Sequence, residues 1–236
     1  MTIITRTKNG LRLSQHGVVI SELRTSPGPT HSVFDVLAAV IAVLTPRGRI
    51  GMMGFAGGGM MAPLRALGVA SVIDSVDLDR AGYDLFNKHC PDWTGGVNWQ
   101  RADAVAWLRQ QPRAFGLLMD DLSVPQGCDV FKPDISWIVL PALIRRRLRR
   151  GGFGVFNLMP ASGGNWNSDL TRIVKMFGTA RIITLDEFEN QILVAGDTLP
   201  TAREIGVQLR RSLRSIRSRQ AGRIHVRKVT ANGKAH

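Results

Sequence analysis

Four aspartates and one glycine-rich turn are the residues in this chain whose types and spacing suit chemistry. The turn is Gly54-Phe55-Ala56-Gly57-Gly58-Gly59, which follows the apolar run Ile50-Gly51-Met52-Met53 and precedes Met61-Ala62-Pro63-Leu64. Glycines there allow positive φ and a close approach of backbone to ligand, and the helix start behind them offers free N–H groups to an anionic group. Gly54, Ala56, Gly57 and Gly58 are therefore the candidate ligand-cradling positions. Asp77 lies about twenty residues on, at the end of the next apolar run, where a carboxylate can accept hydrogen bonds from both hydroxyls of a ribose; the other reading is that Asp74, Asp77 or Asp79 caps the next helix. That spacing serves NAD equally well, although the turn lacks the GxGxxG register. Asp103, in Arg101-Ala102-Asp103-Ala104, suits either an adenine amino group or the N-cap of a following helix. Asp120 and Asp121 end the run Phe115-Gly116-Leu117-Leu118-Met119. Adjacent carboxylates on an extended segment point to opposite sides, so one of the two faces a cleft. A carboxylate there can orient a nucleophile, take its proton and balance a cationic group; the other reading is a turn acid opening Leu122-Ser123-Val124-Pro125.

The elements that must position these residues alternate. Residues 7–23 read as a short β-hairpin or two edge strands, with Gly17-Val18-Val19-Ile20 at their centre, and Thr25 to Thr30 as a turn-rich linker. Ser32 caps a helix to Leu44, which Pro46-Arg47-Gly48 ends. Strands follow at 49–53, 71–79, 97–101, 115–119 and 152–158, separated by helices, of which 135–150 ends in Arg145, Arg146, Arg147, Arg149 and Arg150. Two further strands, 180–185 and 191–195, are joined by an acidic turn. Pro200 onward is a basic helix fading into a tail. This succession predicts an α/β fold with a mostly parallel sheet covered on both faces and an antiparallel edge. Ligands in such sheets bind beyond the carboxyl ends of the strands, where every aspartate above falls. The chain divides into a β-element and linker (1–30), a nucleoside-binding domain (31–200) and a basic C-terminal helix and tail (201–236).

Composition bounds the partners. With 236 residues and 44% apolar content the chain can bury a full α/β core. Net charge is +13, and residues 201–236 hold ten Arg or Lys against one acid, Glu204. Such a tail suits a nucleic acid or another acidic partner, or is simply solvated. Cys90 and Cys128 are too few for a disulfide framework, and neither a signal peptide nor a membrane span is apparent, so a cytoplasmic protein is expected. The five histidines show no metal spacing, and neither a nucleophile elbow nor a P-loop occurs. His31 reads as a surface or capping residue, with the cleft as its other placement. The five tryptophans read as packing.

The glycine turn, Val76-Asp77-Leu78-Asp79, Asp103-Ala104 and Phe115 to Pro125 together resemble the spermidine synthase-like branch of class I S-adenosylmethionine-dependent transferases, over residues 11–195. The resemblance implies a Rossmann-like methyltransferase fold behind a short N-terminal β-element. It implies S-adenosylmethionine or its decarboxylated form as cofactor, with the amino-acid end at Gly54–Gly59, ribose on Asp77, adenine near Asp103, and the catalytic aspartate on Asp121. It also implies a small-molecule acceptor and a homodimer. The acceptor half departs from the family. Val124 stands where a second acid is common, Ile20 where a glutamine is, and Thr30-His31-Ser32 where a Tyr-His-Glu-like run is. A dication in a closed cleft requires buried acids, so these losses argue against putrescine and favour methyl over aminopropyl transfer. A non-catalytic nucleoside-binding module with a nucleic-acid-binding tail is the reading from a different class.

Overall fold

The computed structural model describes residues 2–8, 10–15, 18–126, 129–159 and 166–229. Gly17, His16, Cys128 and the last seven positions lie outside the described residues. Three strands open the chain, β1 (Thr2–Thr7), β2 (Gly10–Gln15) and β3 (Val18–Arg24), paired antiparallel as a sheet of their own. The hairpin expected over 7–23 thus gains a strand ahead of it. Ile3 and Ile4 sit side by side in β1 and both stay about half exposed, so no alternation marked them.

Helix α1 (Val33–Leu44) starts where Ser32 Oγ accepts the Phe34 N–H and stops at left-handed Thr45. A β/α succession follows: β4 (Arg49–Met53), α2 (Met61–Ala66), β5 (Ile73–Asp77), α3 (Ala81–His89), β6 (Val97–Arg101), α4 (Ala104–Gln110) and β7 (Phe115–Asp120). A small hairpin, β8 (Val124–Gln126) and β9 (Asp129–Phe131), leads to α5 (Asp134–Ile138) and α6 (Leu140–Arg147). Then come β10 (Leu148–Leu158), α7 (Trp166–Phe177), β11 (Thr179–Leu185), β12 (Phe188–Gly196), α8 (Ala202–Ser215) and β13 (Ile224–Val229). Eight strands form the central sheet in the order β6-β5-β4-β7-β10-β12-β11-β13. The first five in that order are parallel and the remainder antiparallel. The fold is therefore the Rossmann-like α/β architecture expected, with its antiparallel edge. Strand order reverses between β4 and β7, the position at which open α/β sheets hold ligands.

Two apolar layers sandwich the sheet. On one side α1 packs with α8 through residues such as Leu37, Ile41, Leu209 and Leu213. On the other, Trp107, Leu140, Ile144 and Ile173 bring in α4, α6 and α7. Strands buried on both faces read as continuous apolar runs, which is why β4 and β7 were legible.

Two expectations change. The helix read over 135–150 is two short helices followed by a strand. Pro141 has no N–H to donate into the preceding turn, so the helix breaks before it, and Leu148 already pairs with Phe115 of β7. Arg149 and Arg150 are thus strand residues. Arg145 pairs with Asp197 at 2.5 Å, and Arg147 donates to the carbonyls of Leu108 and Arg109. The basic helix read from Pro200 is α8, and the stretch read as a tail beyond it holds β13. Thr201 and Glu204 close a capping box on α8, whose Ile205, Leu209 and Leu213 are buried, and β13 pairs antiparallel with β11. The arginines of α8 occupy its other face. Among the described residues, no helix is long and apolar enough to cross a membrane.

Candidate functional site

A cavity of about 760 Å³ opens beyond the carboxyl ends of β4, β5 and β7, roofed by β2 and β3. That volume is within the range of small-molecule sites. Gly54, Phe55 and Ala56 line it together with Asp77 and Asp121. Three separate strand ends thereby converge on one space.

The glycine turn is shaped by its neighbours. Gly54 has φ +89° and donates to Val76 O, and a side chain there would collide with the backbone of Asp121. Ala56, though not glycine, also takes positive φ (46°). What holds it there is Asp77, whose Oδ2 accepts the N–H groups of both Phe55 and Ala56 at 2.9 Å. Asp77 is therefore the anchor of the turn as well as part of the cavity wall, and among the described residues its Oδ1 has only a long contact, 3.3 Å, from the Asp79 N–H. Gly57 and Gly58 do not reach the cavity. Gly57 packs under Leu23 and Ser21, and Gly58 against Phe55 and Phe86. Tyr83 stacks on Trp99 at 4.7 Å and meets the edge of Phe55, supporting the turn from behind. Helix α3 begins so close to the turn that a Cβ on Gly82 would sit 1.8 Å from Ala56 O. Gly82→Ala is expected to lose about 1–3 kcal/mol of stability by thermal denaturation despite alanine's better helix propensity, because the backbone must give way.

The two adjacent aspartates separate. Asp120 is wholly buried beneath the cavity, its Oδ1 paired with Lys132 Nζ at 2.8 Å and accepting the Leu122 N–H at 3.1 Å. Lys132, also wholly buried at its side chain, donates to Asp120 O as well. Asp120 is not among the residues that line the cavity. Asp121 does line it. Its Oδ1 accepts from Asn157 Nδ2 at 2.7 Å, and Asn157 Oδ1 in turn accepts from Asn190 Nδ2 at 3.0 Å. Burial raises the Asp121 carboxyl to a pKa of about 6, against the pull of the Asn157 hydrogen bond and Lys132. A carboxylate in that range, held in a fixed orientation, suits proton transfer near neutral pH.

Asp103 is the N-cap of α4, accepting the Ala106 N–H at 2.9 Å; it is exposed and outside the cavity lining. His31, read as a surface or capping residue, lines the cavity instead. Asn157, Asn190, Lys132 and Arg219 were not singled out in the sequence.

No protein-family model matches the sequence, and no curated protein matches it. By structure, the chain has the fold shared by spermidine synthases and S-adenosylmethionine-type methyltransferases. A probable spermidine synthase from Corynebacterium glutamicum is similar with a TM-score of 0.71 and 17% identity, covering 90% of this chain and 83% of that one. The spermidine synthase of Thermotoga maritima gives 0.64 and 13%, over 84% and 70%. Human methyltransferase-like protein 13, solved in complex with SAH, gives 0.57 and 18%, over 78% and 91%.

Proposed function

We propose that this chain is an S-adenosylmethionine-dependent transferase that moves a methyl group to a small-molecule acceptor, with Asp121 as the proton-accepting residue. The observation that carries this reading is the convergence of the Gly54–Ala56 backbone, Asp77 and Asp121 on one cavity at the strand-order switch. The residues fit the cofactor. Asp77 Oδ1 is available to ribose hydroxyls, the turn backbone can approach the amino-acid portion closely, and the volume accommodates a nucleoside with a second molecule. When bound, the sulfonium supplies an activated carbon for attack by a nucleophile. Asp121, fixed by Asn157, aligns the acceptor, takes the proton its nucleophilic atom releases, and offsets positive charge in the cleft.

Calorimetry with S-adenosylmethionine, its decarboxylated form, methylthioadenosine and NAD tests the reading and separates methyl from aminopropyl transfer. Asp77→Ala is expected to weaken nucleoside binding at least about tenfold, losing charge-assisted acceptors and the anchor of the turn together. Unchanged affinity in that variant would remove Asp77 from the site. Tighter binding of the decarboxylated form than of S-adenosylmethionine would move the assignment to aminopropyl transfer.

A further inference from the structure

The far wall of the cavity, opposite the cofactor side, is built from cationic and hydrogen-bond-donating groups. His31 has φ 63°, a left-handed conformation uncommon outside glycine. Three contacts hold it there. Its N–H donates to Asp35 Oδ2 at 2.9 Å, its carbonyl accepts from Gln220 Nε2 at 2.9 Å, and its Nδ1 accepts the Arg219 N–H at 3.3 Å. With Nδ1 committed as acceptor, the neutral ring carries its proton on Nε2 and is a donor there. Burial, together with Arg219 and Arg24, lowers the His31 pKa and keeps that neutral form in place.

The charges around it are uneven. Lys8, Arg24 and Arg219 line this part of the cavity, and among the described residues Lys8 and Arg219 make no ion pair. Arg24 donates through Nη1 to Pro29 O, while its Nε is buried without a hydrogen-bond partner among the described residues. Glu22, the acid on this wall, is bound by Arg12 at 2.7 Å. Asp35 lies beneath His31, wholly buried, with its oxygens taken by Thr30 and His31. The other lining acids, Asp77, Asp79 and Asp121, belong to the strand ends across the cavity. A cationic amine entering here meets like charge; an anion meets the charges of Lys8 and Arg219 and the Nε2–H of His31.

We infer that the acceptor is a small nucleophile bearing a carboxylate or phosphate, its anionic group held by His31, Arg24 and Arg219 while its reacting atom faces Asp121. This rests on reading the cavity as a transferase site.

The test titrates inorganic phosphate, malonate and putrescine separately into the wild-type protein and Arg219→Gln, with and without methylthioadenosine, by calorimetry. Arg219 holds His31 through its backbone N–H, so the glutamine variant keeps that contact. Saturable binding of phosphate or malonate to the wild type, weakened at least about tenfold in Arg219→Gln and with no saturable putrescine binding, supports the assignment and says which anion is preferred. Saturable putrescine binding overturns it. So does anion binding that is equal in both proteins, which marks general attraction to a surface of net charge +13, and so does the absence of any anion binding. If the variant-sensitive anion binding is found but neither S-adenosylmethionine nor methylthioadenosine binds, the transferase reading fails and the anion site stands.

Discussion

Asp121→Asn is expected to lower kcat at least about a hundredfold while nucleoside affinity stays within a few-fold of wild type. The exchange is isosteric, and the new amide oxygen still accepts from Asn157 Nδ2, so the cleft keeps its shape. What is lost is the ability to take a proton and to carry negative charge. The pH profile of the wild type gives a second reading of the same group. With its pKa raised to about 6, Asp121 is protonated below that pH, and the rate should fall about tenfold per unit as the medium becomes more acid. Asn157→Leu removes the hydrogen bond that favours the ionised form, so the acidic limb should move to higher pH. For stability the sign is opposite. The folded protein retains this proton up to about pH 6, whereas the unfolded chain loses it near the ordinary aspartate value of 3.8. The contribution of Asp121 to stability therefore declines as pH rises between those values, and the asparagine variant should be at least as stable as wild type at neutral pH. A variant retaining full turnover would show that Asp121 is not the base.

Lys132→Met is expected to cost about 3–5 kcal/mol in urea denaturation, the largest stability effect of any single substitution considered. Lys132 and Asp120 are both wholly buried at their side chains, and Asp120 Oδ2 already has no hydrogen-bond partner among the described residues. Removing the ammonium strands a carboxylate in the core. The double variant Lys132→Met/Asp120→Leu should recover most of the loss, since replacing both charges by apolar groups removes the desolvation cost together with the attraction. Lys132 also ties the segment after β9 to the end of β7, directly beside Asp121. In the double variant, stability should return further than activity, because the position of Asp121 depends on that tie. Equal loss in the single and double variants would mean that the pair is not what holds this region.

The parts of the site legible in the sequence were those with a local signature. Consecutive apolar residues marked β4 and β7, glycines marked the turn between β4 and α2, and a carboxylate ending an apolar run stood out at Asp77 and Asp121. What could not be read came from distant partners. Nothing in Phe153-Gly154-Val155-Phe156-Asn157 distinguishes Asn157 from an ordinary polar strand end until β10 is laid beside β7. Lys132 looks like any surface lysine in a loop until it is found buried against Asp120. Asp77 was read for its ligand or as a helix cap, because its two bonds to the turn depend on the fold of residues 55 and 56. In the arginine-rich C-terminal stretch the helix was legible and the strand after it, β13, was not. The helix's apolar residues at 205, 209 and 213 recur every four positions, and that period governs burial whatever the charge of the other face.

The bond between His31 and Gln220 joins positions 189 residues apart, so the two ends of the described chain meet over the same hollow. During synthesis, the floor made by β4, β5 and β7 is complete long before residues 219 and 220 leave the ribosome. A nascent chain thus has a cavity with one side open, and a margin of β11 bare of its last neighbour until residues 224–229 emerge. Any chaperone or processing event acting in that interval meets a half-walled vessel.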